Sequence, residues 1–321
     1  MPSLVTIVMY HFVRDLGHSR YPGIKGLDLA RFRNQLDHVV RHYTPVRMED
    51  VLAAADGQPL PRDAILLTFD DGYIDHYVNV FPLLDAAGVQ GSFFPPAKAI
   101  AEHQVLDVNK LHFVLACARD PHELVEFVCS AVDARRTEFD LDGGEEYYAR
   151  VSGESRYDSA DVTFVKRMLQ RELPESLRAE LTDKLFHQHV TTDEAAFSRE
   201  LYMNRDQLMH LVRAGMFVGS HGYDHYWLNS LPVESQEREI DRSLEFLESI
   251  RANTRDWVMC YPYGGYDESL LDVLRDRDCR AGLTTRVAVA DMASDPRLEL
   301  PRLDTNDLPQ TAAAEHAGST T

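Results

Sequence analysis

This chain of 321 residues carries 33 lysines and arginines against 52 aspartates and glutamates, which gives a formal net charge of −19. That surplus of negative charge argues against nucleic acid or an anionic membrane as the main partner, because both bind basic surfaces. Hydrophobic residues make up 44% of the chain, which is enough for a large core and excludes wholesale disorder.

Short apolar strands alternate with amphipathic helices along much of the sequence. The predicted strands cover 5–10, 64–69, 91–94, 217–219, 257–261 and 280–284. The predicted helices between them cover 29–43, 74–87, 205–214, 234–250 and 268–277. This alternation predicts an α/β fold with a parallel sheet covered by helices, either a doubly wound sheet or a barrel.

The region from about 103 to 200 interrupts this alternation. Its predicted helices are 111–118, 121–131 and 162–185, its predicted loop is 140–158, and it contains no convincing core strand. We interpret it as a helical insertion between two strand–helix units. The sequence predicts one domain over 1–309, including this insertion, followed by a flexible tail over 310–321.

Neither the N-terminus nor the cysteines indicate export. No apolar run approaches the ~18–20 residues of a membrane span, and the first residues lack the basic region and cleavage site of a signal peptide. The four cysteines form no C-x-x-C pair, so neither a zinc finger nor a disulfide framework is expected. We therefore expect a cytoplasmic protein in a reducing compartment.

The first chemical motif lies at the end of the predicted strand 64–69, in the sequence Thr-Phe-Asp-Asp-Gly. The carboxyl ends of parallel strands face the ligand site, so Asp70 and Asp71 are expected there. Two carboxylates held this close repel each other, and both stay ionised only beside a cation. The alternative is an ordinary surface turn.

The second motif follows the predicted strand 217–219 and contains two histidines four residues apart, His221 and His225. This spacing predicts that both imidazoles lie on one face of a helical turn, where they suit a transition metal. Alone, the pair is as compatible with a structural role. Together with a carboxylate at a neighbouring strand end, it predicts a hydrolytic metal site with open positions for water.

The third motif, Cys-Tyr-Pro-Tyr-Gly-Gly, begins at Cys260, again after a strand. Such a turn can direct a backbone N–H into the site to stabilise an oxyanion. The alternative is an ordinary strand-to-helix loop.

With these three motifs in this order, the sequence resembles the polysaccharide deacetylases of carbohydrate esterase family 4. The resemblance covers about 5–307 apart from the insertion. It implies a distorted (β/α) barrel and metal-dependent hydrolysis of an N-acetyl amide or O-acetyl ester on a sugar.

The resemblance also implies roles for individual residues. Asp70 would be the general base, Asp71 would bind a divalent metal together with His221 and His225, and the backbone of Tyr263 would stabilise the oxyanion. The ligand types suit Zn²⁺, and Co²⁺, Ni²⁺ or Fe²⁺ would also fit them.

The sequence departs from the family at three positions. Cys260 stands where the family has an arginine that orients the base; Arg302 is the candidate substitute, and a surface arginine is the alternative. Tyr226 stands in place of the usual proline after the second histidine. The C-terminal L-x-H motif that supplies the general acid is absent.

His11 is the candidate for that missing acid, because it ends the first predicted strand and the first strand of a closed barrel neighbours the last. The sequence resembles a family branch with an N-terminal Tyr-His motif in this role. The alternative is a structural histidine at a strand end. His76, on the helix after the first motif, either supports the site from behind or, as we interpret it, lies on the helix surface. Trp227 either stacks on a sugar or packs under its loop.

The sequence thus predicts a metal-dependent deacetylase whose substrate is an acetylated sugar in a polysaccharide or a glycan-biosynthesis intermediate. Two alternatives remain: a hydrolase of a non-sugar amide or imide, and a catalytically silent barrel that binds a glycan. The oligomeric state is left open.

Overall fold

The structure is a computed structural model that describes residues 3–154 and 158–308, so the predicted tail at 310–321 lies outside the described residues. The described chain divides into two compact units. The sheet unit comprises residues up to 15, 26–104 and those from 198 on, and the helical unit comprises 16–25 and 105–197. The assignment of 1–309 to a single domain stays a prediction.

The strands all belong to the sheet unit. They are β1 (Leu4–Tyr10), β2 (Val13–Arg14), β3 (Leu27–Asp28), β4 (Thr44–Pro45), β5 (Ala64–Asp70), β6 (Gly91–Phe94), β7 (Phe217–Val218), β8 (Val258–Cys260), β9 (Ala281–Leu283), β10 (Ala290–Asp291) and β11 (Leu303–Asp304).

The helices in chain order are α1 (Leu29–His42), α2 (Met48–Ala55), α3 (Phe81–Ala87), α4 (Ala97–Ala101), α5 (Asp107–Cys117), α6 (Pro121–Phe139), α7 (Gly144–Val151), α8 (Ala160–Arg167), α9 (Glu175–His189), α10 (Glu194–Leu201), α11 (Arg205–Arg213), α12 (Val233–Ser249) and α13 (Glu268–Arg275). Two π-helical turns cover His76–Val80 and Met168–Glu172, and 3₁₀ turns cover Leu228–Ser230, Pro262–Gly264 and Thr305–Asp307.

The main strands of the sheet unit pair in parallel. β1 pairs with β5, β5 with β6, and β6 with β7. A bridge between Ser220 and Met259 continues the pairing to β8, which pairs with β9. A second bridge joins Leu283 to Leu300, and β11 then pairs with β1. The predicted α/β fold is confirmed. Followed from each strand to its neighbour, the pairing begins at β1 and leads back to β1.

The interior strands are apolar on both faces, as expected for parallel strands that are covered on each side. All seven residues of β5 are buried. Phe69 stacks on Tyr10 of β1 and on Phe93 of β6, with ring centroids 5.1 and 5.0 Å apart. This packing fixes the ends of three neighbouring strands, and the functional residues follow directly from those ends.

The helical unit has an aromatic centre of its own. Tyr21, which belongs to the segment 16–25, contacts Phe113 and Phe197 edge to face, and Phe186 contacts Phe197 in the same way. The sequence did not indicate that a segment so near the N-terminus packs with the inserted helices. Among the described residues, no helix is both long enough and apolar enough to span a bilayer.

Two expectations about this unit are wrong. The predicted loop 140–158 contains α7, whose start is stabilised by the Glu146 carboxylate, which accepts a hydrogen bond from the backbone N–H of Gly143 at 2.7 Å. The predicted helix 162–185 is interrupted by the π-helical turn and by Pro174, which precedes α9 and cannot donate to the helical ladder.

Candidate active site

The site is built at the carboxyl ends of parallel strands of the sheet unit. Tyr10 at the end of β1 lies opposite Phe69 in β5, so the next residues, His11 and Asp70, follow side by side. Asp71 continues from Asp70 with a left-handed backbone, φ +72°. Adjacent strand residues point to opposite faces, and this turn is what allows both carboxylates to face one site.

Three of the predicted residues converge on one point. Oδ1 of Asp71 lies 3.4 Å from Nε2 of His221 and 3.3 Å from Nε2 of His225. All three side chains are buried, and Asp71 Oδ1 has no hydrogen-bond partner among the described residues. A buried carboxylate oxygen normally has a partner. Two imidazole nitrogens and one carboxylate oxygen at these distances fit a divalent transition metal.

Hydrogen bonds orient two of these three groups, His221 and Asp71. Nδ1 of His221 donates to the backbone carbonyl of Cys260 at 2.7 Å, which leaves Nε2 as the acceptor that faces Asp71. The Tyr73 hydroxyl donates to Oδ2 of Asp71 at 2.5 Å, which leaves Oδ1 for the site. Burial lowers the pKa of His225, so this ring is neutral near pH 7, the form that binds a metal.

The loop that carries the two histidines is not a helical turn, and that prediction is wrong. The backbone of His225 is left-handed, with φ +57°. The amides of Tyr223 and Asp224 donate to the buried carboxylate of Glu239 in α12, at 3.1 and 2.8 Å. A residue with this left-handed backbone does not continue a right-handed helical turn, and the bonds to Glu239 hold the loop in its non-helical path. The two rings meet at Asp71 through the loop's tertiary contacts.

Asp70 forms a buried ion pair with Arg302. The guanidinium donates from Nη1 to Oδ1 at 3.0 Å and from Nη2 to Oδ2 at 2.8 Å. It also donates to the Thr68 hydroxyl at 3.1 Å and to the Thr284 carbonyl at 2.9 Å. Arg302 is 1% exposed, so it is not a surface arginine. Burial raises the pKa of Asp70, but the charge and hydrogen bonds of Arg302, together with the nearby His221 and His11, hold the pKa below its usual range.

Cys260 occupies the position where the family pattern has an arginine. Its sulfur lies within 4.8 Å of ligand atoms of Asp70 and His221. Burial raises the pKa of this thiol, so the group beside Asp70 is neutral. The positive charge at Asp70 therefore comes from Arg302. This residue lies two positions after Leu300, which is bridged to Leu283 at the end of β9.

Tyr263 lies in the turn after β8, close to the histidine loop. Its backbone is left-handed, with φ +57°, which is strained for a bulky residue. Its ring stacks on Trp227 with centroids 4.5 Å apart and contacts the His225 ring at 4.7 Å. Trp227 thus packs on the turn of the third motif, and its stacking on a sugar stays a prediction.

His11 is partly exposed, and it lies within electrostatic reach of both Asp70 and Asp71. Its backbone carbonyl accepts a hydrogen bond from Nε2 of His76 at 2.9 Å. His76 is fully buried, so the interpretation as helix surface is wrong. Its ring packs against Phe69, Tyr73 and Phe93. The spacing of apolar residues in the predicted helix does not predict these contacts.

Sequence reasoning missed the residues that support the site. Tyr73 immediately follows the Asp-Asp-Gly turn, and this proximity is the signal that could have identified it. Glu239 gave no signal, because a glutamate on an amphipathic helix is normally exposed. Thr68 belongs to the first motif, but nothing near it in the sequence predicts its contact with Arg302.

A family model described as polysaccharide deacetylase matches residues 57–126 and 180–282, more than half of the chain. A poly-β-1,6-N-acetyl-D-glucosamine N-deacetylase of Escherichia coli is 49% identical over 45 residues. Those residues are 14% of this chain and only 7% of the length of that relative.

Two solved structures have a similar fold over nearly their whole length. The deacetylase PplD of Streptococcus pyogenes, solved in complex with acetate, is 16% identical with a TM-score of 0.58, covering 95% of this chain and 93% of its own. IcaB of Ammonifex degensii is 18% identical with a TM-score of 0.57, covering 98% and 97%. At such low identity these likenesses show the fold alone.

Proposed function

The chain belongs to the polysaccharide deacetylase family, and on that premise we propose that it is a metal-dependent hydrolase that removes the acetyl group from an N-acetylated sugar. The observation that carries the proposal is the buried oxygen of Asp71 facing two imidazole nitrogens, with an arginine-paired carboxylate beside it. Hydrolysis needs a base, and Asp70 is a carboxylate beside the metal site that is not itself one of the three proposed ligands. A protein that only binds a glycan has no need of such a group.

We infer that Asp71, His221 and His225 hold the metal. A bound divalent cation would polarise the acetyl carbonyl and lower the pKa of water at the site. Zinc suits two imidazoles and one carboxylate, and cobalt, nickel or iron suit the same donors. The hydrogen bond from Tyr73 commits the second oxygen of Asp71, so this carboxylate offers a single ligand atom.

Asp70 is the proposed general base. Arg302 holds both of its oxygens, keeps it ionised and fixes its plane. Water adds to the acetyl carbon while its proton passes to Asp70. The backbone N–H of Tyr263 is the proposed donor to the oxygen that becomes negative, a role for which a preorganised turn is suited.

His11 is the proposed general acid. When the C–N bond breaks, the electron pair goes to nitrogen, which takes a proton from the imidazolium of His11 and leaves the neutral imidazole. The products are acetate and a free amine. An amide needs this proton because an amide anion is a very poor leaving group, whereas the leaving group of an activated ester does not.

The proposed substrate class is a polymer or oligomer of N-acetylhexosamine. The family and the Escherichia coli relative, whose name states the deacetylation of poly-β-1,6-N-acetyl-D-glucosamine, support this choice. The particular sugar and linkage are therefore tested with a panel that includes β-1,6-linked N-acetylglucosamine oligomers, β-1,4-linked oligomers and small non-sugar amides.

The test combines metal content with acetate release. The zinc-loaded protein should bind about one zinc per chain at this three-donor site and release acetate from at least one N-acetylated sugar. Asp70→Asn should keep the metal and lose turnover by about 10²–10⁴-fold, the usual contribution of a general base. Asp71→Asn should lose the metal itself.

Two results would contradict the proposal in different ways. Bound metal without acetate release from any acetylated sugar would favour a silent glycan-binding protein. Turnover of small amides without turnover of sugars would favour an amide hydrolase.

A further inference from the structure

The segment that follows β1, from His11 to Arg14, is held by the π-helical turn His76–Val80 and by the residue before it, Asp75. A π-helical turn is a rare, wide turn that occurs frequently at functional sites. Here it lies after the Asp-Asp-Gly motif and contacts the one segment that carries the proposed acid.

The side chains of Asp75 and of this turn bond three residues of that segment, His11, Val13 and Arg14. Nε2 of His76 bonds the His11 carbonyl at 2.9 Å, and Nδ2 of Asn79 donates to the Val13 carbonyl at 2.8 Å. Asp75 accepts from the Val13 amide at 3.2 Å and from the Arg14 guanidinium at 2.8 and 3.0 Å.

The histidine of the turn is itself held in place. The His76 side chain is enclosed by three aromatic rings and has no exposed surface. A carbonyl can only accept a hydrogen bond, so the His76 tautomer must carry its proton on Nε2. The ring therefore acts as a fixed donor to the backbone of His11.

We propose that Asp75, His76 and Asn79 are positioning residues that place His11 for proton transfer to the leaving amine. This inference rests on the proposed function. A loosely held acid transfers a proton less effectively, and a misplacement of about 1 Å can cost on the order of 10²-fold in rate.

The proposal predicts a loss that depends on the leaving group. Turnover of an N-acetyl amide needs the acid, and turnover of an activated aryl acetate does not. A variant that displaces His11 should therefore lower the amide rate and leave the ester rate nearly unchanged. A variant that disturbs the metal ligands or the fold should instead lower the amide rate and the ester rate together.

The experiment measures kcat for an N-acetylglucosamine oligomer and for an aryl acetate ester with the zinc-loaded full chain. His11→Ala removes the proposed acid and therefore gives the largest expected effect. It should lower kcat for the amide about 10²-fold or more and leave kcat for the ester nearly unchanged. His76→Leu and Asn79→Ala should each lower the amide rate about tenfold or more, within the range for misplaced groups, and change the ester rate less than twofold.

Two further variants separate positioning from general stability. His76→Gln can still donate to the His11 carbonyl and should recover part of the amide rate. Val78→Ala changes an exposed side chain on the same turn and should alter neither rate. Asn79→Ala, at a partly exposed position, keeps the test open if His76→Leu does not fold.

An unchanged amide-to-ester ratio in both His76→Leu and Asn79→Ala, beside a changed ratio in His11→Ala, would overturn the positioning role and leave the proposed function intact. An unchanged ratio in His11→Ala would show that there is no acid to position. A wild-type protein that releases acetate from neither substrate would contradict the proposed function, and the positioning role would fall with it.

Discussion

Replacement of Arg302 by methionine would test what keeps Asp70 ionised. Methionine fills part of the same buried volume and removes the charge. The guanidinium bonds both carboxylate oxygens, and the two side chains are 1% and 2% exposed, so bulk water cannot take its place. The variant leaves a carboxylate that must either stay charged without a partner or bind a proton.

The magnitude follows from the burial of the pair. Removal of one partner of a buried ion pair costs about 3–5 kcal/mol. Burial is the largest single influence on Asp70 and raises its pKa, so without the guanidinium we expect this pKa to rise above its usual range.

The sign of the pH effect differs between the two proteins. In the wild type, the Asp70 contribution to stability is present above the unfolded-state pKa and is lost as the pH falls through the lower folded-state pKa. In Arg302→Met the folded-state pKa is the higher one, so the native state gains protons first. Relative to the wild type, the variant should therefore gain stability as the pH falls from 7 toward the unfolded-state pKa.

Two measurements check this reasoning. Urea unfolding between pH 4 and 8 gives the slope of stability, and the acidic limb of kcat/KM gives the pKa of the essential base. Arg302→Lys keeps the charge without the two-pronged contact, and its acidic limb should move less. An unmoved acidic limb together with an unchanged stability slope in Arg302→Met would refute the claim that Arg302 keeps Asp70 ionised.

Two further predictions concern metal affinity and backbone strain. Tyr73→Phe removes the donor to Asp71 and should weaken zinc binding about 10–100-fold, as outer ligand-sphere changes do; competition with a chromophoric chelator measures it, and unchanged affinity would contradict the role of the hydroxyl. Gly264→Ala should lower the free energy of unfolding by more than Gly88→Ala. Both glycines have a positive φ, +70° and +66°, which costs alanine about 1–2 kcal/mol. Only at Gly264 would the new Cβ lie 2.2 Å from Thr285 Oγ1, while Gly88 has open space. Equal losses in urea unfolding would show that the contact with Thr285 relaxes without cost.

The strands that form the site were predictable because they are short, apolar and buried on both faces. β1, β5, β6, β8 and β9 all lie within one or two residues of their predicted bounds. The rule that parallel strands end at the same edge then predicts which motifs meet. That rule predicts from the sequence alone that Asp70, Asp71 and the two histidines lie together.

The conformation of the histidine loop was not predictable, because no local pattern determines it. His225 takes a left-handed backbone, and the amides of Tyr223 and Asp224 bond Glu239, which lies 16 and 15 residues further along the chain. The spacing of four residues fits a helical turn equally well. The observed loop, rather than a helical turn, is held by a tertiary contact with the buried carboxylate of Glu239 in α12.

The origin of the charge beside Asp70 illustrates a more general limit of motif reasoning. The chemistry requires a cation at the base, because burial alone would protonate it. It does not determine which segment supplies that cation. In this chain a neutral thiol, Cys260, ends β8, and the cation comes from Arg302, just before β11. The bridge between Leu283 and Leu300 and the pairing of β11 with β1 bring that segment to the same edge of the sheet. Because several strands end at this edge, the cation beside the base can come from a segment far from it in the sequence, and here that segment carries Arg302.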